Sequence, residues 1–585
     1  MTMVYFFTIV DRCLVSCGMA TAVLILNICS LGAQTIDDVA ADAGPQWDAL
    51  DRFRDNRICL VTATTSDVVM IPGFTSQLAS RLLKLVHAGV RDSRTLADTL
   101  CLSVEQHLLM DLCTTTDCSR GVDLFASARS RLQSISQREP AYSTRIDVTS
   151  DVARIGGVRT LGVDSAMSYW ASARYQNHSM VVGAYGISHG LGLVTGGSAR
   201  FGGSLVGRAR ATDITPSMRS WTSSWTDNAF RGGALTLSID TALTSVWWSH
   251  QLRADRHEHV LGVSTYIPTT MADVALACLQ YNYDRPSESV AQRVIRDTTA
   301  TYISIAGQRS LGRVDLRSEF AITQTGYAWL TIAEAPFAPF TVIFSARSIS
   351  PDYRAPMSSS ITDASAVSNE DGVLFGALGR IGRWRTAMSL DLHRRPSRSY
   401  GRPLSARGFD LLVDAVRTAG PIDFALRCRW ESDEDGWRPR PSDHTHMTIR
   451  NRWTVRADVT TTVGALTLRS RLDVRRLSTT DERPIRAGSL IYVDVRWKPM
   501  QSFSLRSRLT SWTSDVFDVA PYAAEQEAEG MMRTLVATGT GMSWTIGGRW
   551  TVFSNITLWM SASSTYSRNT NTTTLRGLVQ IDVRS

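Results

Sequence analysis

Residues 466–475 read Leu-Thr-Leu-Arg-Ser-Arg-Leu-Asp-Val-Arg, and this stretch decides how the chain folds. Leu466, Leu468, Leu472 and Val474 occupy alternate positions, and mostly arginine, aspartate and threonine stand between them. Successive side chains of a strand point to opposite faces of a sheet. The stretch therefore predicts a strand that lies between an apolar medium and a polar one.

The same period of two continues on both sides of this stretch. It recurs at 384–393 and 491–497, and it persists from about residue 141 to the C-terminus. Segments of roughly nine to eleven residues are separated by tight turns and by long polar loops. The tight turns include 380–382, and the long loops include 515–530.

Long strands joined by tight turns at one end and long loops at the other are typical of one architecture. They predict a mainly β fold, a large antiparallel transmembrane β-barrel of about 20 strands over residues 141–585. A soluble β-sandwich or propeller also alternates, but no repeat of roughly 40 to 50 residues is present to favour a propeller. Trp497, Trp512 and Tyr492 near strand ends suit an aromatic girdle.

The composition agrees with a folded protein of more than one domain. The chain has 585 residues, and with 43% apolar and 20% charged residues it is too apolar for disorder and too weakly charged for a coiled coil. Its net charge of +8 permits contact with nucleic acid or anionic lipid without requiring it. Of 62 basic residues, only Lys84 and Lys498 are lysine. Arginine suits crowded ionic networks because its guanidinium is a planar fork of donors.

The N-terminus has the layout of an export signal. An apolar run at 18–28 is followed by small residues, which predicts a signal peptide over residues 1–33. The alternative is an N-terminal membrane anchor. An exported chain meets an oxidising compartment, where Cys59, Cys101, Cys113 and Cys118 allow three disulfide pairings. No paired CxxC spacing is present, so we expect no zinc site.

Residues 34–140 follow a different pattern. Leu78, Leu82 and Leu85 recur at three- and four-residue steps and predict a helix. Directly before it, Pro72 and Gly73 allow a sharp turn, because glycine tolerates positive φ. The helix then begins with unpaired amide donors, which can hold a phosphate.

The stretch 60–112 resembles the helix-hairpin-helix domain of the periplasmic competence DNA receptor (ComEA) type. In that family the backbone amides of an apolar-Pro-Gly-apolar-Gly hairpin hold a DNA phosphate without reading the base sequence. Thr75 stands where the second glycine of the family is expected. The resemblance implies a DNA-binding set with Arg81 and Lys84 adding charge; the whole set is Ile71, Pro72, Gly73, Phe74, Thr75, Arg81 and Lys84. Such domains also bind proteins, so a protein-docking role stands beside DNA contact.

A second resemblance covers the barrel. The glycine-rich segments 181–194 and 228–234 resemble barrel proteins of Bacteroidetes/Chlorobi-like bacteria, which carry the same helical domain after a signal peptide. Gly190 and Gly192 allow a chain folded back into the lumen, or simply a kinked strand.

Several polar clusters are candidates for catalytic or metal sites. Neighbouring residues of a strand point to opposite faces, so Ser188 and His189 do not cooperate. The sequence His257-Glu258-His259 and the histidines after residue 443 have no identifiable partner set. We therefore expect no enzyme, no catalytic residue, no metal site and no cofactor.

Five arginines fall on the predicted lumen face. They would select anions, or they would form a structural ladder with aspartates, and the ladder is favoured because any barrel needs charged lumen residues. These arginines are Arg469, Arg471, Arg475, Arg506 and Arg508.

Together these patterns predict a bacterial outer-membrane β-barrel with its helical domain in the periplasm. The leading hypothesis is a binding or transport protein whose helical module holds DNA non-specifically at the barrel mouth. The alternative is a structural or envelope-assembly barrel, whose helical domain plugs the lumen or docks a protein partner without DNA. Expected partners are outer-membrane lipid and either DNA or another envelope protein, with no small-molecule cofactor.

Overall fold

The computed structural model describes most of residues 57–584. Its gaps are 62, 64–67, 69–70, 72–73, 101, 103, 117–123, 137, 151, 163–164, 176–177, 197–204, 225–226, 254–255, 288–293, 364–365, 399–403, 438–445, 482 and 529–530. The predicted signal peptide, Pro72 and Gly73 lie outside the described residues.

The N-terminal part of the described chain is a small helical unit. Its helices are α1 (Ser76–His87), α2 (Ser93–Thr99) and α3 (Val104–Cys113). A short parallel pair, β1 (Ile58–Cys59) and β2 (Thr114–Thr115), joins its two ends. Leu78, Leu82 and Val86 are buried in its core, as the predicted spacing requires. Cys59 is disulfide-bonded, whereas Cys113 is a buried thiol.

The rest of the chain forms a closed antiparallel barrel of 24 strands. A short strand, β8, pairs with the end of β7 beyond the point where β9 pairs with it. A separate hairpin, β25–β26, is not part of the barrel wall. The strands are β3 (Leu124–Ile135), β4 (Ala141–Ser150), β5 (Ala153–Leu161), β6 (Ala166–Tyr175), β7 (His178–Ser188), β8 (Ser217–Ser220), β9 (Phe230–Ile239), β10 (Ala242–Arg253), β11 (Arg256–Ile267), β12 (Asp273–Tyr283), β13 (Thr299–Leu311), β14 (Val314–Ile322), β15 (Tyr327–Phe337), β16 (Phe340–Ile349), β17 (Glu370–Ile381), β18 (Trp384–Arg395), β19 (Ala406–Ala419), β20 (Ile422–Trp437), β21 (His446–Val463), β22 (Leu466–Thr479), β23 (Arg486–Met500), β24 (Phe503–Ser514), β25 (Tyr522–Ala528), β26 (Met531–Val536), β27 (Gly539–Phe553), β28 (Ile556–Ser567) and β29 (Thr572–Arg584).

The predicted strand number is corrected, because the barrel has 24 strands rather than about 20. Its first strand, β3, lies inside the stretch 34–140. The outward side of β3 carries small residues such as Ala128 and Ser130, so its alternation is weak. Its place in the barrel comes from antiparallel pairing with β29, which closes the wall between residues far apart in the sequence.

The two ends of the barrel differ. At one end, here called the turn rim, most connections have two residues, as at 312–313, 382–383 and 464–465. At the other end, the loop rim, the connections include 189–216 and 350–369. The even strand number places the start of β3 and the end of β29 at the turn rim, so the helical unit enters the barrel from that side.

The outer surface of the barrel is apolar, as the alternation predicted. Leu472 is 44% exposed and Ile491 is 47% exposed, whereas their neighbours Asp473 and Tyr492 are buried. Trp497 faces outward as a girdle residue would. Among the described residues no helix has the length and apolar character needed to cross a membrane.

The girdle prediction is wrong for Tyr492 and Trp512. Both rings are buried on the inner side of the wall. Tyr492 alternates with outward-facing Ile491 and Val493, so strand parity places it on the inner face whatever its aromatic character.

Three loop-rim segments fold into the lumen. Segment 189–216 contains a fourth helix, α4 (Leu205–Ala211), and packs with segment 350–369 against the inner faces of strands between β7 and β17. Segment 515–538 contains a 3-10 helix (Phe517–Val519) and the hairpin β25–β26, and it packs against β23 and β24.

Candidate functional site

The lumen is the candidate site, and segment 189–216 is its plug. This plug begins with two residues in the left-handed region, Gly190 at φ 57° and Gly192 at φ 85°. A Cβ at Gly190 would lie 2.6 Å from the Glu319 carboxyl carbon, and one at Gly192 would lie 2.6 Å from the Ser359 carbonyl oxygen. Of the two interpretations of these glycines, the structure shows the chain folded back into the lumen.

The buried carboxylate of Glu319 holds the start of the plug. The Leu191 and Leu193 amides donate to its Oε2 atom, at 2.6 and 3.2 Å. The Ser304 hydroxyl donates to Oε1 at 2.8 Å. Since the side chain of Glu319 belongs to β14, these bonds tie the turn directly to the barrel wall. Because these hydrogen bonds are directional, they fix the position of the plug turn on a wall that it otherwise contacts through apolar residues.

The far end of the plug reaches the turn rim. The Arg210 side chain of α4 donates to Glu334 at 3.1 Å and to the Leu100 carbonyl of the helical unit at 2.8 Å. Arg380 donates to Asp98 at 2.8 Å, and Arg385 donates to Nδ1 of His107 at 3.0 Å. The helical unit therefore rests on both the wall and the plug.

The opposite wall is charged. Asp458, Asp473 and Asp494 each lie between two arginines, at distances from 2.5 to 3.2 Å. The five arginines predicted for the lumen all belong to these groups, so the Arg–Asp ladder is present. Each of these three carboxylates contacts two guanidinium groups, and the hairpin packed on this wall adds the buried carboxylates Glu525 and Glu527. Asp458 contacts Arg469 and Arg471, Asp473 contacts Arg456 and Arg475, and Asp494 contacts Arg506 and Arg508.

A cavity of about 160 Å³ lies between the inner face of β3–β5 and the hairpin β25–β26. Strands β3–β5 supply Arg129, Arg131 and Arg145, while Thr222 comes from the connection between β8 and β9 and Met531 from β26. None of the described residues that line it is acidic. It is a basic recess beside the loop rim.

Groups on the inner faces of neighbouring strands orient the three arginines. Arg129 donates to Asp582 at 2.6 Å, and Arg131 donates to the amide oxygen of Gln580 at 2.8 Å. Arg145 donates to Asp147 at 3.4 Å and lies 5.7 Å from the ring centroid of buried Trp170. Sequence reasoning missed these residues, although the arginines at 129 and 131 are spaced for one strand face. On the other side of their strand only Leu132 is a large apolar residue among Ala128, Ser130 and Ser134, so the alternation is weak.

The predicted DNA-binding residues lie at the start of the helical unit. Ile71 and Phe74 are buried, and the hydroxyl of Thr75 caps α1 by accepting from the Leu78 amide at 3.2 Å. Arg81 and Lys84 are exposed on α1. Their role in DNA binding stays a prediction.

The catalytic candidates are not brought together among the described residues. The Ser188 hydroxyl is 2.6 Å from that of Ser217, and His189 is buried in the plug turn. His257 and His259 face outward, while Glu258 between them is buried on the inner side. Asp443 and His444 lie outside the described residues.

No protein-family model matches this chain, and neither does any curated protein. Solved structures that match include the copper transporter OprC, at 8% identity over 81% of this chain and 83% of that chain, with a TM-score of 0.41. The siderophore receptor PirA from Pseudomonas aeruginosa matches at 7% identity over 80% and 81%, with a TM-score of 0.42. The FrpB iron transporter from Neisseria meningitidis matches at 10% identity over 80% and 82%, with a TM-score of 0.39.

Proposed function

We propose that this protein is an outer-membrane barrel that binds a small anionic solute at its loop rim. Movement of the plug would then open a path through the lumen. The apolar outer surface and the closed antiparallel wall support a membrane location, because a closed barrel leaves no unpaired strand edge in lipid. Short turns face the periplasm in barrels of this kind, and this supports a periplasmic helical unit with the loop rim outside.

The cavity beside the loop rim carries the proposal. Arg129, Arg131 and Arg145 converge on it, and guanidinium groups form bidentate hydrogen bonds with planar or tetrahedral anions. Around Asp458, Asp473 and Asp494, six arginines extend the row of guanidinium groups along the wall. A lumen of this charge favours anions over cations.

Phosphate binding by the full chain tests this proposal. We expect Arg129→Gln with Arg131→Gln to weaken inorganic phosphate binding by about tenfold in calorimetry, which corresponds to about 1.4 kcal/mol. Arg159 lies on β5 but is exposed on the outer face, so Arg159→Gln is the matched control and should leave affinity unchanged. Equal losses in both variants would contradict a site in the cavity.

Exposed basic residues on the helical unit favour DNA contact as a second candidate function. Arg81, Lys84, Arg91 and Arg94 are all exposed. A phosphate contact loses affinity as salt is added because counterions are released on binding. If Arg81 and Lys84 each contact a phosphate, raising the salt from about 50 to 200 mM should weaken binding of duplex DNA by the full chain. The loss of affinity should be roughly ten times larger than the loss in the Arg81→Gln, Lys84→Gln double variant.

Lys498 provides the control for this experiment. It is the second lysine of the chain, and it is exposed next to a turn-rim connection. Lys498→Gln should bind DNA as the unchanged chain does. DNA binding that is absent at low salt would leave the helical unit as a docking element, a role supported by its contacts through Asp98, His107 and Leu100.

A further inference from the structure

Three side chains from different segments meet inside the loop rim. His393 belongs to β18, Asp433 belongs to β20, and Asp363 belongs to the inward segment 350–369. His393 Nε2 lies 3.1 Å from Asp433 Oδ1 and 3.6 Å from Asp363 Oδ2. One donor atom from each residue lies within 4.8 Å of the other two. We call this set the loop-rim cluster.

The two separations from His393 Nε2 are close to those between ligands of a small divalent ion. Zinc binds histidine nitrogen and carboxylate oxygen at about 2.0–2.2 Å, so its tetrahedral ligands lie about 3.4 Å from one another. One imidazole and two carboxylates leave a further position for water or another donor. The donor set is that of borderline divalent metals rather than of calcium, which takes oxygen ligands alone.

A second layer of contacts orients the histidine as it does in metal sites. Nδ1 of His393 lies 3.5 Å from Asp391 Oδ2, on the side of the ring away from Asp433. Arg347 holds Asp391 with two hydrogen bonds of 2.7 and 2.8 Å. A carboxylate behind a ligating imidazole fixes the ring and raises its basicity toward the metal.

The backbone leaves space beside the donor atoms. Gly408 lies on β19, between β18 and β20, and pairs with both His393 and Asp433. A Cβ at this position would collide with His393 Nε2 and Asp433 Oδ1. The missing side chain therefore opens room next to the atoms that would bind an ion.

We propose that the loop-rim cluster binds one divalent metal ion of the zinc class and thereby fixes segment 350–369 to the barrel wall. That segment contacts the plug, since the Ser359 amide donates to the Gly192 carbonyl at 2.9 Å and the Gly196 amide donates to the Met357 carbonyl at 2.9 Å. A bound ion would thus stiffen the plug from the outer side. The proposal stands independently of solute transport.

Cobalt binding by the full, chelator-stripped barrel tests the site, because Co²⁺ bound to nitrogen and oxygen ligands has a visible absorption band. His250, His257 and His259 cluster on the outer face and would also bind metal, with His250 Nδ1 3.2 Å from His259 Nδ1. All measurements therefore use a background protein that carries His250→Ala, His257→Ala and His259→Ala. We expect one Co²⁺ per chain and competition by Zn²⁺.

Variants of the cluster separate metal binding from folding. Asp433→Asn and His393→Gln should each lower Co²⁺ affinity at least about a hundredfold. Asp371→Asn is the control, because Asp371 pairs with Arg394 near the same rim but outside the cluster. Heat-dependent gel migration shows which variants still form the barrel. Unchanged Co²⁺ affinity in a folded cluster variant, or no absorption band in the background protein, would overturn the proposal.

Two further readouts test the proposed link to the loop. Arg395 donates to Asp363 at 2.5 Å and competes with a cation for it, so Arg395→Gln should raise Co²⁺ affinity. Zinc should slow proteolysis within segment 350–369, and Asp363→Asn should abolish that protection. Equal cleavage rates with and without zinc in the protein with an unchanged cluster would show that a bound ion does not fix segment 350–369 to the wall.

Discussion

The wall formed by β9–β17 and the wall formed by β18–β24 with β27–β29 share an apolar outer face but differ on the inner face. The first wall is lined by large apolar groups such as Tyr281, Leu330 and Leu374, and the plug packs against it. The second is lined by ion pairs, such as the two around Asp494, and the hairpin β25–β26 packs against it. The membrane therefore determines which residues form the outer face, whereas the segment folded inside determines which residues form the inner face.

The two walls hold their inward segments by different means. Apolar packing gains roughly 25 cal/mol per Å² and tolerates small changes in direction. An ion-pair wall fixes direction but requires every buried charge to be matched. On the charged wall, arginine donors also reach the inward segment 515–538, as where Arg475 donates to the Ala520 carbonyl at 2.8 Å.

Removal of the polar anchor in the apolar wall should have the largest effect. Glu319→Ala leaves the buried amides of Leu191 and Leu193 without an acceptor, at about 1–3 kcal/mol each. We expect the plug to leave the wall and the conductance of the reconstituted barrel to rise at least tenfold. Glu319→Gln keeps an acceptor and should be milder. Equal conductance in all three proteins would show that Glu319 does not hold the plug.

The charged wall should respond with a loss of stability rather than with opening. Asp494→Asn leaves Arg506 and Arg508 without their carboxylate, and breaking a buried pair costs about 3 kcal/mol. Thermal unfolding of the barrel should shift downward, and reversal potentials should become more anion-selective. Asp494→Glu retains the charge and serves as the control. An unchanged melting temperature in Asp494→Asn would mean that water replaces the pair at no cost.

Acid should loosen the plug through His189. Burial lowers the pKa of His189 to about 4, whereas a solvated imidazole titrates near 6.5. The released plug therefore binds a proton that the docked plug does not. Docking free energy is complete above pH 6.5 and falls by about 1.4 kcal/mol per pH unit toward pH 4. Proteolysis of segment 189–216 should accelerate over this range, and His189→Leu should flatten the dependence.

One substitution made in both walls compares their packing directly. Gly376 faces α4, and a Cβ there would collide with Val206. Gly547 faces inward on the charged wall, where the nearest atom to an added Cβ is 3.4 Å away. Gly376→Ala should destabilise plug docking by about 1–3 kcal/mol, whereas Gly547→Ala should be nearly neutral. Equal effects on proteolysis and melting would remove the contrast between the walls.

The contact of the helical unit with the turn rim should show the smallest effect. Asp98 and Arg380 are 27% and 48% exposed, and surface ion pairs of this kind contribute about 0.2–1 kcal/mol. Asp98→Asn should slightly increase protease access between the helical unit and β3, and added salt should have the same effect on the unchanged chain. A large release of the helical unit would show that this pair dominates its docking.

Alternation in the sequence determined the outer face of this protein. Residues 466–475 predict a strand with leucine outward and arginine inward, and the structure confirms it, because lipid-facing and lumen-facing residues must alternate in any barrel. The ladder around Asp458, Asp473 and Asp494 follows from the same parity. The helical stretch through Leu78 and Leu82 is likewise visible as a period of three and four.

Only the tertiary structure decided what the lumen contains. The first strand is recognised by its pairing with the last, as in Arg131 opposite Gln580, because most of its outward residues are small and Leu132 alone shows little pattern. The cavity and the loop-rim cluster each collect side chains from separate segments, such as His393 and Asp363. Local periodicity reports which medium a face meets; contacts between distant segments depend on how closure of the barrel brings them together.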